Sequence, residues 1–245
     1  MLTKISIIIV HWNTPEQFQV QSSKFEVRKN IEVIVVDNNS DKKLEIRNKN
    51  LRLIQNKTNL GFAAACNQGA KIAKGEWLLF LNPDTHITSD EILKFIKNAD
   101  ERNFDAASPE QKGDSYFKPL PIWLSLAVEF SPLQRLIPLS LFKKRTLFGG
   151  CLLIKSSVLK KIGGWDDNFF LWFEDSDLTK RLYDNGYKVG WIPVKYSHEG
   201  GTSFKKLEEP YKKKMFFESM NLYSKKHFGT FGKLIVKVLT ALNTR

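Results

Sequence analysis

Short, almost wholly apolar runs of strand length recur through the first part of the 245-residue chain. The clearest are residues 5–10, 31–36 and 76–81, and a weaker run covers residues 51–54. Runs that are apolar at successive positions, rather than at alternate ones, are typical of parallel strands covered on both faces. We therefore expect a buried sheet at the centre of the fold.

Helical patterns separate these runs. Residues 62–73 are rich in alanine and end before Lys74-Gly75, and residues 89–99 begin with a serine and two acids, as helix starts often do. Residues 15–29 are expected to hold the first crossover helix. The alternation of strands and helices predicts an α/β fold with an open, mostly parallel, Rossmann-like central sheet.

The second half of the chain is less regular. Four prolines break residues 116–145 into short apolar pieces, which predicts a mobile insertion or a docking surface. Strand character returns at residues 147–154, where the pair Gly149-Gly150 indicates a close approach of the backbone to another group. A helix at residues 175–185 and a strand at residues 188–192 follow.

The charge of the chain is uneven. The formal net charge is +12, and residues 205–245 carry ten Lys and Arg against three Glu. Five apolar side chains near the end fall on one helical face: Leu234, Ile235, Val238, Leu239 and Leu242. This pattern predicts a basic amphipathic helix, which either lies on an anionic bilayer or packs on the domain itself.

The location of the protein is inferred from two weaker features. No apolar run approaches the roughly 18–20 residues that span a bilayer, and residues 5–10 are too short for the core of a signal peptide. Cys66 and Cys151 are too few for a disulfide framework and are expected to be small core residues. We expect a cytoplasmic protein.

Polar residues follow the strand-like runs where an open α/β sheet binds its ligands, at the carboxyl ends of its strands. They are Asn13, Asp37, Asn38, Asn82 and Asp84. A carboxylate at Asp84 can hold a divalent cation beside a phosphate, and one at Asp37 can bind a nucleoside. The alternative for both is a capping role in a turn.

Two further groups carry titratable side chains. Glu174, Asp175 and Asp177 follow an aromatic run, and their mutual repulsion beside apolar groups should raise at least one pKa, as a general base requires. An acidic first helical turn is the alternative. His198, before Glu199-Gly200, can complete a metal site or contact a diphosphate, although a lone histidine is more often a surface or core residue.

The order of these motifs is more specific than any one of them. The chain reads SIIIVHWN, VVDNNS, NLGFAAACNQG, LNPDT, FGGCLLI, IGGWD, FFLWFEDSDL and HEGGTS. Over residues 3–204 it resembles the family 2 inverting glycosyltransferases with the GT-A fold, in particular the rhamnosyltransferase-like branch that builds bacterial surface polysaccharides.

The resemblance implies a role for each candidate residue. Asp84 and His198 would hold Mg²⁺ or Mn²⁺ at the diphosphate of a nucleotide-sugar, and Glu174-Asp175 would be the catalytic pair, with Asp175 as the base. The first acid of the family's Asp-x-Asp motif is replaced by Asn82. The nucleotide-sugar would be bound by six residues: Asn13, Asp37, Asn38, Gly61, Asn67 and Asn82.

The resemblance also implies the organisation and the partners. A single GT-A domain would cover residues 1–230, with a nucleotide-sugar-binding half at 1–100, an acceptor-binding half at 101–230 and an amphipathic tail at 231–245. The donor would be dTDP-L-rhamnose or a UDP-sugar, and the acceptor a glycan or a lipid-linked sugar. The enzyme would be peripheral on the inner face of the cytoplasmic membrane, in contact with its anionic surface.

Three other classes compete with this interpretation. A nucleic-acid-binding protein would account for the charge, but no recognition motif accompanies it, so no nucleic acid partner is expected. A nucleotidyltransferase would carry a glycine-rich triphosphate loop after the first strand, where this chain has His11-Trp12-Asn13. A catalytically inactive relative that binds nucleotide-sugars or acts as a membrane adaptor stays open.

Overall fold

A seven-stranded sheet forms the centre of the protein in a computed structural model that describes residues 4–16, 18, 30–44, 51–110, 118–200 and 208–243. The strand order is β3-β2-β1-β4-β7-β6-β8. These strands are β1 (Ile5–His11), β2 (Ile31–Asp37), β3 (Leu51–Gln55), β4 (Trp77–Leu81), β6 (Ala106–Pro109), β7 (Cys151–Lys155) and β8 (Val189–Ile192). Two short strands, β5 (Thr85–His86) and β9 (Ser197–His198), pair separately.

Seven helices complete the described fold. They are α1 (Phe62–Ile72), α2 (Ser89–Glu101), α3 (Trp123–Glu129), α4 (Ser156–Lys161), α5 (Glu174–Asp184), α6 (Glu209–His227) and α7 (Gly229–Asn243). Two 3₁₀ turns, Pro132–Arg135 and Leu139–Leu141, follow α3. The predicted bounds of α1, α2 and α5 agree with the observed ones within two residues, whereas most of the predicted crossover helix at 15–29 lies outside the described residues.

The sheet is mostly parallel, as the apolar runs predict. β1 runs parallel to β2 and β4, β2 runs parallel to β3, and β6 runs parallel to β8. β7 is antiparallel to both of its neighbours, β4 and β6. The carboxyl ends of β1, β2 and β4 therefore meet the amino end of β7 at one edge of the sheet.

Both faces of the sheet are covered by core. Ile7, Ile9 and Leu79 point into one apolar cluster with α2, and Ile8 and Phe80 point into another with α1 and α5. Every residue of β4 is buried. This two-sided burial explains why the strand sequences are apolar at successive positions. The two free cysteines are buried in these clusters, as expected.

The last two helices pack on the domain. A third apolar cluster joins α3, α6 and α7, and it includes the fully buried Tyr223 and Val236. The Tyr223 hydroxyl donates to the Pro121 carbonyl at 3.0 Å, and the Asn243 side chain donates to the Phe130 carbonyl at 3.2 Å. No helix among the described residues combines the length and apolarity needed to cross a membrane.

A buried carboxylate ties α5 to α6. Asp177 has no exposed surface, and its Oδ2 accepts from Arg181 Nε at 2.7 Å. Its Oδ1 lies 2.7 Å from Lys226 Nζ and 2.8 Å from His227 Nε2. Burial raises the pKa of Asp177, but the hydrogen bond from His227, the charge of Arg181 and the hydrogen bond from Lys226 outweigh it and bring the pKa down to about 2.

We expect Asp177→Ala to lower the free energy of unfolding by about 3–5 kcal/mol, because Arg181 and His227 lose their buried counter-ion, whereas Lys226 keeps its pair with Asp166. Asp184→Ala is the matched control on the same helix. Asp184 pairs with Lys180 at the surface, at 2.9 Å, and its loss should cost at most about 0.5 kcal/mol. Urea denaturation of both variants measures the difference, and equal effects would show that the buried network does not stabilise the fold.

The same network predicts an acid dependence. Because the folded-state pKa of Asp177 lies below its unfolded value of about 3.9, its contribution to stability is complete above that pH and is lost as the pH falls through about 2. The gap in unfolding free energy between wild type and Asp177→Ala should therefore narrow between pH 5 and pH 2. A gap that stays constant over this range would contradict the assignment.

Candidate active site

A cavity of about 640 Å³ opens at the edge of the sheet where the strand ends meet. Asn38 follows β2, the loop 82–84 follows β4, and the loop 148–150 precedes β7, and all three contribute to its wall. The start of α5 and the loop before it close another side, and Tyr211 of α6 lies at the wall as well. The cavity is thus built where parallel α/β sheets bind ligands.

Asp84 and His198 are brought together by the pairing of β5 with β9. Thr85 pairs with His198, and the Glu199 amide donates to the Asp84 carbonyl at 3.0 Å. As a result His198 Nε2 lies 3.3 Å from Asp84 Oδ1, and both side chains line the cavity. The ring of Phe148 packs against the imidazole of His198, with ring centroids 4.9 Å apart, and so holds its position.

These two side chains fit a divalent cation. Among the described residues no group of three or more His, Cys, Asp or Glu side chains forms a metal cage. Mg²⁺ and Mn²⁺ often use one or two protein ligands and take the rest from phosphate and water. A carboxylate and an imidazole that meet at a cavity wall are therefore a suitable donor set for an ion that a diphosphate completes.

Gly149 and Gly150 connect this end of the cavity to Asp175. A Cβ atom on Gly150 would lie 2.9 Å from Asn82 Nδ2, and one on Gly149 would lie 3.3 Å from Asp175 Cβ. The backbone amide of Asn82 also donates to the Gly150 carbonyl at 2.9 Å. Two consecutive residues therefore contact both the loop of Asp84 and the catalytic candidate, so the two carboxylates face one compact space.

The loop before α5 turns sharply to present its acids. Trp172 and Phe173 both adopt φ of 64°, in the left-handed region. Non-glycine residues in this region cost of order 1–3 kcal/mol each and persist only where packing enforces them. Phe173 is buried among aromatic rings of α6, which supply that packing. The turn delivers Glu174 and Asp175 to the cavity as the first residues of the helix.

Asp175 carries an ion pair at the cavity wall. Lys118 Nζ lies 3.0 Å from its Oδ1 and 3.3 Å from its Oδ2. The Ser176 amide donates to Oδ1 at 2.7 Å. The carboxylate is therefore oriented by its own helix and by a lysine from the opposite wall.

Glu174 is in a different environment. It is buried, it lines the cavity, and its Oε2 has no hydrogen-bond partner within the described part of the chain. Burial, and then the charge of Asp175, raise the pKa of Glu174 to about 8. A raised pKa favours the neutral carboxylic acid over the carboxylate.

Most of the residues proposed from the sequence converge on this cavity. Seven of the ten line it: Asn38, Gly61, Asn82, Asp84, Glu174, Asp175 and His198. Gly61 has φ of 86°, and a Cβ there would lie 2.7 Å from the Phe170 carbonyl oxygen, so only glycine fits this close approach. Asn38 accepts from the Leu60 amide at 3.0 Å and donates to Asn59, and it thereby shapes the loop before α1.

The other three lie outside the cavity wall. Asp37 accepts from the Ser40 amide at 3.0 Å and caps the turn after β2. Asn13, with φ of 54°, exchanges hydrogen bonds with Asp41. Asn67 pairs with both backbone groups of Trp165, at 2.8 and 2.9 Å. All three side chains hold loops in place.

Lys118 and Arg145 line the cavity and were not predicted from the sequence. Lys118 follows a stretch without periodicity, and Arg145 ends the proline-broken segment. An antiparallel bridge between Pro119 and Arg145 brings the two basic residues to one wall. The only signal in the sequence was the run of three basic residues at 143–145, which gave no indication of its partner.

Two known proteins with similar sequences are glycosyltransferases. The hexosyltransferase Agl10 of low-salt glycan biosynthesis in Haloferax volcanii is 25% identical over 211 residues, 79% of this chain and 66% of that protein. The rhamnosyltransferase WbbL of Escherichia coli is 26% identical over 149 residues, 54% of this chain and 56% of that protein. The chain therefore spans two-thirds or less of each relative.

A solved structure extends the likeness to the whole fold. The mannosyltransferase PcManGT from Pyrobaculum calidifontis, in complex with GDP-Man and Mn²⁺, superposes with a TM-score of 0.63 at 15% identity, covering 100% of this chain and 71% of that one. The likeness confirms the predicted α/β fold of GT-A type.

The sequence profiles of two families match parts of the chain. The profile of the N-terminal domain of galactosyltransferase matches residues 141–207. The profile of glycosyl transferase family 2 matches residues 6–163, well over half of the chain. This match identifies the chain as a member of glycosyl transferase family 2.

Proposed function

We propose that the protein is an inverting glycosyltransferase, which moves a sugar from a nucleotide-sugar to a hydroxyl group of an acceptor. The observation that carries this proposal is the pair Gly149-Gly150, which contacts the loop of Asp84 on one side and Asp175 on the other. A cation site and a general base on either side of one sugar-sized space are what a single in-line displacement requires.

The donor would bind with its diphosphate at Asp84 and His198, and its nucleoside toward Asn38 and Gly61. A Mg²⁺ or Mn²⁺ ion held there would act as a Lewis acid on the departing diphosphate. Agl10 and WbbL, whose names describe a hexosyltransferase and a rhamnosyltransferase, support a hexose or deoxyhexose donor. We propose dTDP-L-rhamnose or a UDP-sugar, bound mainly by residues 1–100.

Asp175 would act as the general base. It lines the cavity, and Gly149 lets the backbone of the β7 loop lie directly against it. An ionised carboxylate there can accept the proton of the acceptor hydroxyl as the oxygen attacks the anomeric carbon. Attack from the face opposite the departing diphosphate inverts the configuration at that carbon.

Glu174 would orient a sugar hydroxyl as a neutral acid. Glu174 lines the cavity, its buried Oε2 has no hydrogen-bond partner in the described structure, and its raised pKa favours the protonated form. A protonated carboxyl can donate to one hydroxyl and accept from another. This role needs the hydrogen-bonding shape of the side chain and not a negative charge.

An exposed apolar surface supports a membrane-bound acceptor. It comprises residues in or next to α3, the two 3₁₀ turns and α7: Ile122, Trp123, Leu124, Leu133, Leu136, Leu141, Phe231, Leu234, Val238 and Leu242. Trp123 and Phe231 join its two halves through a ring contact of 5.8 Å between centroids. Exposed Lys233 and Lys237 lie on α7, where they complement anionic lipid headgroups.

This surface would bind the inner face of the cytoplasmic membrane and bring the active site to a lipid-linked acceptor. The tail predicted at 231–245 would take part through one face of α7 only, because Val236 and Leu239 on the other face are buried in the domain. Residues 101–230 would supply the acceptor half of the site, including Asp175.

Donor binding is testable by thermal unfolding with dTDP, UDP and GDP, each with and without Mn²⁺. A nucleotide at 100 times its dissociation constant should stabilise by about 2.7 kcal/mol, or roughly 5–10 °C for a chain of this size. Asp84→Ala should lose the part of the shift that needs the metal, whereas the surface control Asp184→Ala should keep it. No shift with any nucleotide would contradict a donor site and would favour the membrane-adaptor alternative.

The base is testable with the donor that this screen identifies. Asp175→Asn should lower kcat about 10²–10⁴-fold, because the amide cannot accept the proton, and should leave the nucleotide-induced thermal shift in place. Glu174→Gln, the neighbouring isosteric change, should lower kcat by less than about tenfold, since the amide preserves a hydrogen-bond donor. Near-normal turnover of Asp175→Asn would remove it as the base.

Membrane binding is testable by sedimentation with vesicles. In Leu234, Val238 and Leu242 the exposed fractions are 61%, 52% and 67%, so a triple change to serine should spare the fold. It should weaken binding to phosphatidylglycerol vesicles at least about tenfold, through lost apolar burial. Leu60→Ser, which removes an exposed leucine elsewhere, is the control. Equal binding of the triple variant would exclude this surface.

A further inference from the structure

A basic ribbon contacts the candidate base Asp175 and continues along the chain into the exposed apolar surface. It consists of two short antiparallel segments, 118–120 and 144–146, joined by the bridge from Pro119 to Arg145. The Thr146 amide donates to the Lys118 carbonyl at 2.9 Å, and the Leu120 amide donates to the Lys144 carbonyl at 2.7 Å. These bonds place Lys118, Lys144 and Arg145 on one small piece of structure.

The inner end of the ribbon belongs to the cavity. Lys118 and Arg145 both line it, and Lys118 contacts both carboxylate oxygens of Asp175. The guanidinium of Arg145 stacks 4.7 Å above the ring of Trp191, which fixes its plane at the wall. A planar guanidinium and an ammonium on the wall of one cavity can each bind phosphate oxygens.

The outer end of the ribbon reaches the exposed apolar surface within a few residues. Ile122 follows Lys118 by four positions, and Leu141 precedes Arg145 by four, so each connection is at most about 14 Å long. Lys143 and Lys144 are exposed along the second connection. The path along the chain thus leads from the Asp175 contact, through the cations Lys118 and Arg145, to exposed apolar side chains.

We propose that the basic ribbon binds the phosphate group through which an acceptor sugar is attached to a lipid. The order of groups along this path matches the order in such an acceptor, in which the reacting sugar is followed by a phosphate or diphosphate and then by a hydrocarbon chain. The proposal rests on the proposed function and names the chemical class of its acceptor.

The ribbon is separate from the donor's diphosphate site. Asp84 and His198 line the cavity from the β5–β9 side, and they would hold the donor through a metal ion. Lys118 and Arg145 are cations and bind phosphate directly. Removal of divalent metal should therefore abolish binding of the donor's diphosphate at Asp84 and His198, and should leave phosphate binding at Lys118 and Arg145.

The test uses the full chain in EDTA and needs neither a donor nor turnover, so it can fail independently of the proposed glycosyl transfer. Calorimetric titration compares farnesyl diphosphate, farnesol and inorganic diphosphate, below the concentration at which the lipid forms micelles. We expect farnesyl diphosphate to bind at least about tenfold more tightly than either fragment, because only it spans the cations and the apolar surface. Equal binding of inorganic diphosphate would overturn the link to a lipid.

Matched variants locate the site. Lys118→Gln, at an exposed side chain, should weaken farnesyl diphosphate about tenfold or more, since hydrogen bonds to charged groups are among the stronger ones. Arg145→Gln should act likewise, provided its unfolding midpoint is unchanged. Lys97→Gln, on an exposed lysine of α2, should bind as wild type does, and Asp84→Ala, which removes a negative charge from the cavity, should not weaken binding. Wild-type affinity of Lys118→Gln, or loss of affinity in Asp84→Ala, would overturn the proposal.

Vesicles distinguish the phosphate of an acceptor from that of a bilayer headgroup. Because Lys118 lies in the cavity wall, Lys118→Gln should leave sedimentation with phosphatidylglycerol vesicles within about twofold of wild type. A loss as large as that for farnesyl diphosphate would identify the ligand as a headgroup and would contradict a site for a lipid-linked acceptor.

Discussion

The antiparallel pairing of β7 with β4 determines where the active site lies. In a wholly parallel sheet the loop before β7 would emerge at the opposite edge from the loop after β4. Because β7 is reversed, Leu81 pairs with Cys151, and the Asn82 amide reaches the Gly150 carbonyl. The candidate metal ligand and the candidate base are then separated by two glycines, which lack the side chains that would fill the space between them.

Two carboxylates in the first turn of α5 illustrate how burial alone does not decide ionisation. Glu174 and Asp177 are three residues apart, and both are buried. The pKa of Glu174 is nevertheless raised to about 8, whereas the pKa of Asp177 is lowered to about 2. The neighbouring charged groups account for the difference. Asp177 contacts Arg181, Lys226 and His227, whereas Glu174 lies beside the carboxylate of Asp175. The helix thus carries one carboxylate that stabilises the fold, Asp177, and one carboxyl group of raised pKa at the cavity wall, Glu174.

The sequence predicted the strands because both faces of the sheet are buried, which makes its strands apolar at successive positions. It predicted the strand-end residues for the same reason, since polar side chains directly after such strands must meet at one edge. It could not separate the residues that line the cavity from those that hold its loops, because Asn38 and Asp37 are equally polar neighbours at the end of one strand. Only hydrogen-bond partners distinguish them, and those come from residues far along the chain.

The sequence did not predict two residues of the cavity wall, because the segments that carry them have no helical or strand periodicity. Lys118 and Arg145 meet through a single bridge between irregular segments, and nothing in either segment indicates the other.

The last helix combines both alternatives that its sequence left open. Val236 and Leu239 are buried against α3 and α6, while Leu234, Val238 and Leu242 are exposed on the opposite side. A helix with apolar residues on both faces cannot be removed without opening the core, so truncation would confound folding with membrane binding.

The packing of this helix on the domain also has a consequence for catalysis. If the exposed face lies on a bilayer, the cavity is held at a constant height above it, and the acceptor sugar must be carried on a linker of matching length. If the basic ribbon binds the acceptor's phosphate as proposed, it would contact that linker, since it lies four residues along the chain from the apolar surface on either strand.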